Sequence, residues 1–149
     1  MTFENKTVIV GISGGIAAYK TAYLVSRLKK TGADVHVIMT ENATRFVAPL
    51  TFETLSGNAC VTSTFERKGS FDVEHVELAK KADVFIVAPA TANVIAKFAN
   101  GIADDMLTTT FLAANCPKIV APAMNTRMFE NPITQEKMRK RERFGIQVI

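Results

Sequence analysis

Cysteine and histidine are scarce in this chain of 149 residues, with two of each: Cys60, Cys116, His36 and His75. The cysteines lack Cys-x-x-Cys spacing, which argues against a disulfide framework and against a thiolate metal site. Both are expected as small buried hydrophobes. Long apolar runs are missing too. The longest falls far short of the roughly 20 residues a bilayer span requires, so no membrane partner is expected. Met1-Thr2-Phe3-Glu4-Asn5-Lys6 opens directly into a strand without a signal-peptide h-region or cleavage site, which sets the expectation of a cytoplasmic protein. There is no internal repeat, linker or low-complexity segment. The net charge of +4 admits an anionic ligand without demanding nucleic acid. The one dense basic run, Lys137, Arg139, Lys140, Arg141 and Arg143, coincides with a helix-like stretch containing Met138 and Phe144. No aromatic residues interleave with it as a base-stacking platform would need, so it reads as a solvated helix face.

What remains is ordinary globular composition, 48% hydrophobic and 21% charged, long enough for one domain over residues 1–149. Thr7–Val10 is a short β-branched run ending in glycines. Ile16 to Lys30 has helical character, with Ile16, Tyr19, Tyr23 and Leu28 roughly along one side, Lys29 and Lys30 at the negative end of the dipole, and Gly32 at C′. Asp34–Met39 is a second strand, so the unit implies a parallel crossover. Short helices are expected at Thr44–Val47 and Thr51–Leu55, a strand at Ala59–Val61, and a helical approach at His75–Lys81. Val84–Ala88 and Lys118–Ala121 read as core strands buried on both faces. Helical pieces follow at Ile95–Phe98, Met106–Ala114 and Thr134–Phe144, and Gln147–Ile149 begins one more strand.

Three apolar runs end in small, polar turns: Gly11-Ile12-Ser13-Gly14-Gly15-Ile16, Pro89-Ala90-Thr91-Ala92-Asn93 and Pro122-Ala123-Met124-Asn125. In an open α/β sheet the ligand crevice lies outside the carboxyl ends of the strands, so these turns share one rim. The first lacks the second and third glycines of the dinucleotide fingerprint, and Tyr19 stands where a P-loop has glycine before Lys20-Thr21. It is either a tight turn needing glycine for packing or a phosphate cradle at a helix N-terminus. Thr91 and Asn93 either cap the next helix or bind a polar ligand edge. Asn125 is either a turn former or an amide reader of a carboxylate. His75 has a side-chain type suited to acid or base work near neutral pH; His36, inside an apolar strand, reads as structural.

Taken in order, Gly14-Gly15-Ile16-Ala17-Ala18-Tyr19-Lys20, His75, Pro89-Ala90-Thr91-Ala92-Asn93 and Pro122-Ala123-Met124-Asn125-Thr126-Arg127-Met128 resemble the flavin-containing cysteine decarboxylases, over essentially the whole chain. That resemblance implies a flavodoxin-like (Rossmann-like) three-layer α/β sandwich around a parallel sheet. It implies FMN bound between subunits of a homotrimer or homododecamer. Gly14, Gly15, Ile16, Thr40, Thr91, Ala92, Asn93, Val94 and Ala123 match FMN-contacting positions, Asn125 the residue that holds the substrate carboxylate, and His75 the catalytic base. The implied substrate is 4′-phosphopantothenoylcysteine, decarboxylated to 4′-phosphopantetheine in coenzyme A biosynthesis. Its cysteine side chain is oxidised to a thioaldehyde, CO₂ is lost to leave an ene-thiolate, and reduced flavin then returns the electrons. The family's substrate clamp, with its cysteine acid, falls beyond Ile149, and neither Cys60 nor Cys116 occupies that motif. Val94 stands where the family usually has Thr, and Phe129 where Trp or Tyr is common. A peptidyl-cysteine decarboxylase of lantibiotic maturation and a non-enzymatic FMN-binding regulatory subunit share the same site pattern. A flavin prenyltransferase shares the fold without the pairing of histidine and Pro-x-Met-Asn.

Overall fold

A computed structural model describes residues 2–63 and 74–149 of the chain, apart from the side chains of residues 74 and 75. Five strands, β1 (Thr7–Ile12), β2 (Asp34–Met39), β3 (Val84–Ala90), β4 (Lys118–Pro122) and β5 (Ile146–Val148), form one sheet in the order β2-β1-β3-β4-β5. Every pairing is parallel. This is the flavodoxin-like order. The described helices are α1 (Ala18–Lys30), α2 (Pro49–Ser56), α3 (Glu74–Lys81), α4 (Ala92–Asn100), α5 (Met106–Ala113), α6 (Thr126–Glu130) and α7 (Pro132–Glu142), with a 3₁₀ turn at Ala43–Arg45. Among the described residues no helix is long and apolar enough to cross a membrane.

All six residues of β1 are buried, which is why its sequence runs apolar without alternation. The pleat still sorts them. Val8, Val10 and Ile12 join Val35, Val37 and Met39 on one face, with Ala18 and Val25 of α1 and Phe52 of α2. Ile9 joins Phe85, Val87 and Val120 on the other, with residues of α3, α4 and α5. There Phe111 stacks on Phe98 at 3.7 Å between ring centroids and meets Phe85 edge-on at 5.3 Å, a geometry favourable beyond the area it buries.

The structure corrects four local expectations. Helix α1 begins at Ala18, and the expected stripe divides: Ile16, Tyr19 and Tyr23 are exposed, whereas Leu28 packs against the core beside Ala18 and Val25. Small inner residues let the helix approach closely and leave its tyrosines uncovered. Ala59–Val61 forms only a single bridge, Val61 to Ile38, not a strand. Helix α6, held by caps and burying no residue, has no apolar periodicity to announce it. Finally, the basic run of α7 is not wholly solvated, because Arg141 is fully buried on the inner face of the helix.

Candidate active site

The chain leaves β1 toward β2 on one side and returns to β3 on the other, so the sheet's switch point lies between β1 and β3. Above it opens a cavity of about 1060 Å³. Its walls are the segments that leave four strands: Ser13–Ala17 after β1, Thr40–Asn42 after β2, Thr91–Val94 after β3 and Ala123–Asn125 after β4. Gly14, Gly15, Ile16, Thr40, Thr91, Ala92, Asn93, Val94, Ala123 and Asn125 are thereby brought together on one surface. His75 is the second residue of α3; its side chain lies outside the described residues.

Hydrogen bonds explain how the rim is held. The pairing of β3 with β4 shifts register between Val87 and Ala90, which takes the intervening carbonyls out of the ladder. Buried carbonyls demand partners. Thr21 Oγ1 donates to Ala88 O at 2.6 Å, and Ser13 Oγ donates to Pro89 O at 2.6 Å. Ser13 Oγ also accepts from Thr91 N at 2.9 Å, so one buried hydroxyl fastens the β1 turn to the start of α4. Ala123 N donates to Ala90 O at 3.0 Å and brings in the β4 exit. Thr40 N donates to Ile12 O at 3.0 Å, while its hydroxyl accepts from Ala43 N at 3.1 Å.

The two glycines of the first turn differ. A Cβ on Gly14 would stand 2.5 Å from Asn42 Cβ and 3.0 Å from the Asn42 carbonyl carbon, so only glycine fits against that backbone. Above Gly15 the nearest atom would be Thr91 Cγ2 at 3.9 Å, leaving open space over the backbone. Helix α1 then starts with no side-chain cap and no acidic residue in its first turn. Two of its first-turn N–H groups are taken, Ala18 N by Gly15 O and Lys20 N by Ala17 O, each at 3.0 Å, but the positive end of its dipole meets no acidic side chain, which suits a phosphate. An open backbone cradle, an uncapped thirteen-residue helix and hydroxyl and amide groups on the facing walls fit a phosphorylated cofactor.

Local structural roles leave Thr91 and Asn125 free to bind as well. Thr91 caps α4 by accepting from Val94 N at 3.3 Å, and its hydroxyl proton remains available. Asn125 caps α6, with Oδ1 accepting from Arg127 N at 2.9 Å. That bond fixes the amide's orientation and leaves the Nδ2 donors for a ligand acceptor. Ser13, Met124 and Met128, which lie in the quoted motifs but were given no role, also line the cavity, as do Lys97 and Asp104, which no motif contains. Ser13 had a legible signal as the polar residue at the strand end; Lys97 and Asp104 lay in a helix and a loop with no motif.

His36 is structural, as expected, with Nε2 3.0 Å from Asp34 Oδ2. Burial pushes the Asp34 carboxyl up, but hydrogen bonds from His36, Asn58 and Lys81 outweigh it and hold the group well below the usual carboxylate range. Cys60 is buried, and burial pushes the half-buried Cys116 thiol up, away from the thiolate form.

Fold and site together define an open α/β protein that takes a phosphorylated ligand at its strand ends. The chain belongs to the Flavoprotein family, whose model matches residues 2–149. It is 53% identical over 135 residues to the coenzyme A biosynthesis bifunctional protein CoaBC of Bacillus subtilis (strain 168), covering 91% of this chain and 33% of that protein. It is 43% identical over 147 residues to a probable phosphopantothenoylcysteine decarboxylase of Streptococcus mutans, covering 97% of this chain and 82% of the relative. The crystal structure of the FMN-dependent cysteine decarboxylase SpaF superposes with a TM-score of 0.91 at 36% identity, over 97% of this chain and 83% of the other. The chain spans about a third of the length of the bifunctional relatives it matches.

Proposed function

We propose that this chain is an FMN-dependent decarboxylase that acts on 4′-phosphopantothenoylcysteine and yields 4′-phosphopantetheine, a step of coenzyme A biosynthesis, in the cytoplasm. The observation that carries this reading is the meeting, on one cavity, of every residue assigned from sequence to the cofactor and to the substrate carboxylate. The names borne by the Streptococcus mutans relative and by SpaF support it.

Bound FMN supplies a reversible two-electron oxidation of the cysteine side chain, which gives the negative charge left by departing CO₂ a place to go. Everything else falls to the chain. Gly14 and Gly15 let the backbone approach the cofactor phosphate, and the start of α1 offers it the positive end of the helix dipole. The Thr40 and Thr91 hydroxyls and the Asn93 amide face the cofactor from the other walls. The Nδ2 group of Asn125 orients the substrate carboxylate, and His75 accepts the thiol proton. The exposed apolar residues beside the cavity, Ile16 and Met128 among them, support a homotrimer or homododecamer that closes the site between copies.

Anaerobic mixing of the FMN-loaded protein with 4′-phosphopantothenoylcysteine, with CO₂ and flavin absorbance followed together, tests the reading. CO₂ release is expected, and His75→Asn is expected to keep the flavin and lose about 10²–10⁴-fold in rate. Colourless protein that takes up no added FMN overturns the cofactor assignment. Full turnover in the variant overturns the role of His75.

A further inference from the structure

Charge inside the cavity is out of balance for the ligands proposed. FMN and the substrate each bring a phosphomonoester, yet among the described residues lining the cavity Lys97 is the only cation, facing Glu41, Asp104 and Asp105. Asp105 is already committed. It caps α5, its Oδ1 accepting from Thr108 N at 2.7 Å and from Thr108 Oγ1 at 2.6 Å. Asp104 is not: its carboxylate pairs with Lys97 Nζ at 3.0 Å, with the Asp104 side chain 54% exposed and that of Lys97 22% exposed. A pair whose acid half faces water is weak. A phosphomonoester carries nearly two charges and three strong acceptor oxygens, so it competes well for the same ammonium.

We infer that Lys97 is the phosphate-reading residue of this cavity, held by Asp104 until a phosphomonoester takes the ammonium over. The inference rests on the proposed function for the identity of its ligands. Helix α4 suits the task because its capped first turn, Thr91–Val94, lines the same cavity, so the lysine is carried on a rigid element anchored there. The competing reading is a latch, in which Lys97 and Asp104 merely fasten the 101–105 loop to the last turn of α4.

Two ligand pairs separate these readings and identify the phosphate. Affinities of Lys97→Met, Lys97→Arg and Asp104→Asn are compared with the unchanged chain for FMN against riboflavin, by flavin fluorescence quenching. The same variants are titrated calorimetrically with 4′-phosphopantetheine against pantetheine. Lys97→Met is expected to lose about tenfold of the phosphate preference in one pair, about 1.4 kcal/mol, with affinity for the phosphate-free member unchanged. Lys97→Arg keeps the preference, and Asp104→Asn, which frees the ammonium, strengthens it. Loss in the flavin pair assigns Lys97 to the cofactor phosphate, and loss in the pantetheine pair assigns it to the substrate phosphate. Both preferences intact in Lys97→Met, with a lowered Tm, leaves a latch and overturns the inference alone. An unchanged chain that binds neither flavin overturns the proposed function and this inference with it.

Discussion

Arg141 brings a guanidinium into the core of the α7 face, where among the described residues Nε and Nη2 have no hydrogen-bond partner. Nη1 alone donates, to Ile146 O at 3.4 Å, a long bond. Burial pushes the guanidinium's pKa down from its ordinary value, the sign expected when the charged form is penalised. Among the described residues no carboxylate forms an ion pair with it, and Glu142 favours the charge only at longer range; a buried charge so placed costs stability, and an apolar side chain of similar length removes that cost. Arg141→Met is therefore expected to stabilise the chain by about 1–3 kcal/mol, read as a Tm increase of several degrees by calorimetry. A lower Tm would mean that a partner group holds the arginine. The sequence concealed this residue because Arg141 sits within a basic run, and a charge in such company reads as solvent-facing. Ser13 was concealed differently. Its place after β1 was plain, but its bonds to Pro89 and Thr91 join residues 76 and 78 positions away, which no local pattern carries.

At the scale of elements, α3 matters because it carries His75, and an ion pair ties its end to the sheet. Lys81 Nζ lies 3.1 Å from Asp34 Oδ2, at the start of β2, where His36 and Asn58 also donate to the carboxylate. Asp34 and Lys81 are 40% and 55% exposed, so solvent screens the pair and its share of stability is small, about 0.5–1 kcal/mol. The sign follows from the depressed Asp34 pKa: the contribution is present above the ordinary carboxylate range and lost as pH falls through it toward the folded value. Asp34→Asn is expected to lower Tm at neutral pH, with the gap to the unchanged chain closing below about pH 4. A gap independent of pH would show that the amide loses something other than charge. Such elements were legible where burial dictates composition. The strands read as unbroken apolar runs because helices cover both faces, and Asp34–Met39 has the bounds read from its residues. Helix α6 was not legible, since five residues held by Asn125 and burying nothing leave no period to detect. The strand expected at Ala59–Val61 shrank to one bridge, Val61 to Ile38, on the outer edge of β2.

Over the whole molecule, two apolar surfaces flank the cavity and neither has a partner among the described residues. On one side stand Ile16, in the turn before α1, and Tyr19 and Tyr23 on the outer face of α1, on the other Met128, Phe129 and Ile133 of α6 and α7. Large exposed apolar groups in one area mark an interaction surface. Because the two patches differ, pairing one with the other is heterologous, and repeated contacts of that kind close into a ring when the rotation allows. Such a ring would seat one copy against the open mouth of the next copy's cavity, and assembly would then be linked to cofactor binding. Ile16, Tyr19 and Tyr23 were visible in the sequence as an apolar stripe, but only the structure shows that they face outward. Light scattering is expected to give a mass that is a multiple of three chains. Tyr23→Glu places a charge in the contact without touching the cavity lining. It is expected to yield monomer with the same secondary structure by circular dichroism and at least about tenfold weaker FMN affinity, since binding and assembly stabilise one another through linkage. A monomer that still binds FMN as tightly as the unchanged protein would separate the cavity from the interface and leave the flavin site complete within one chain.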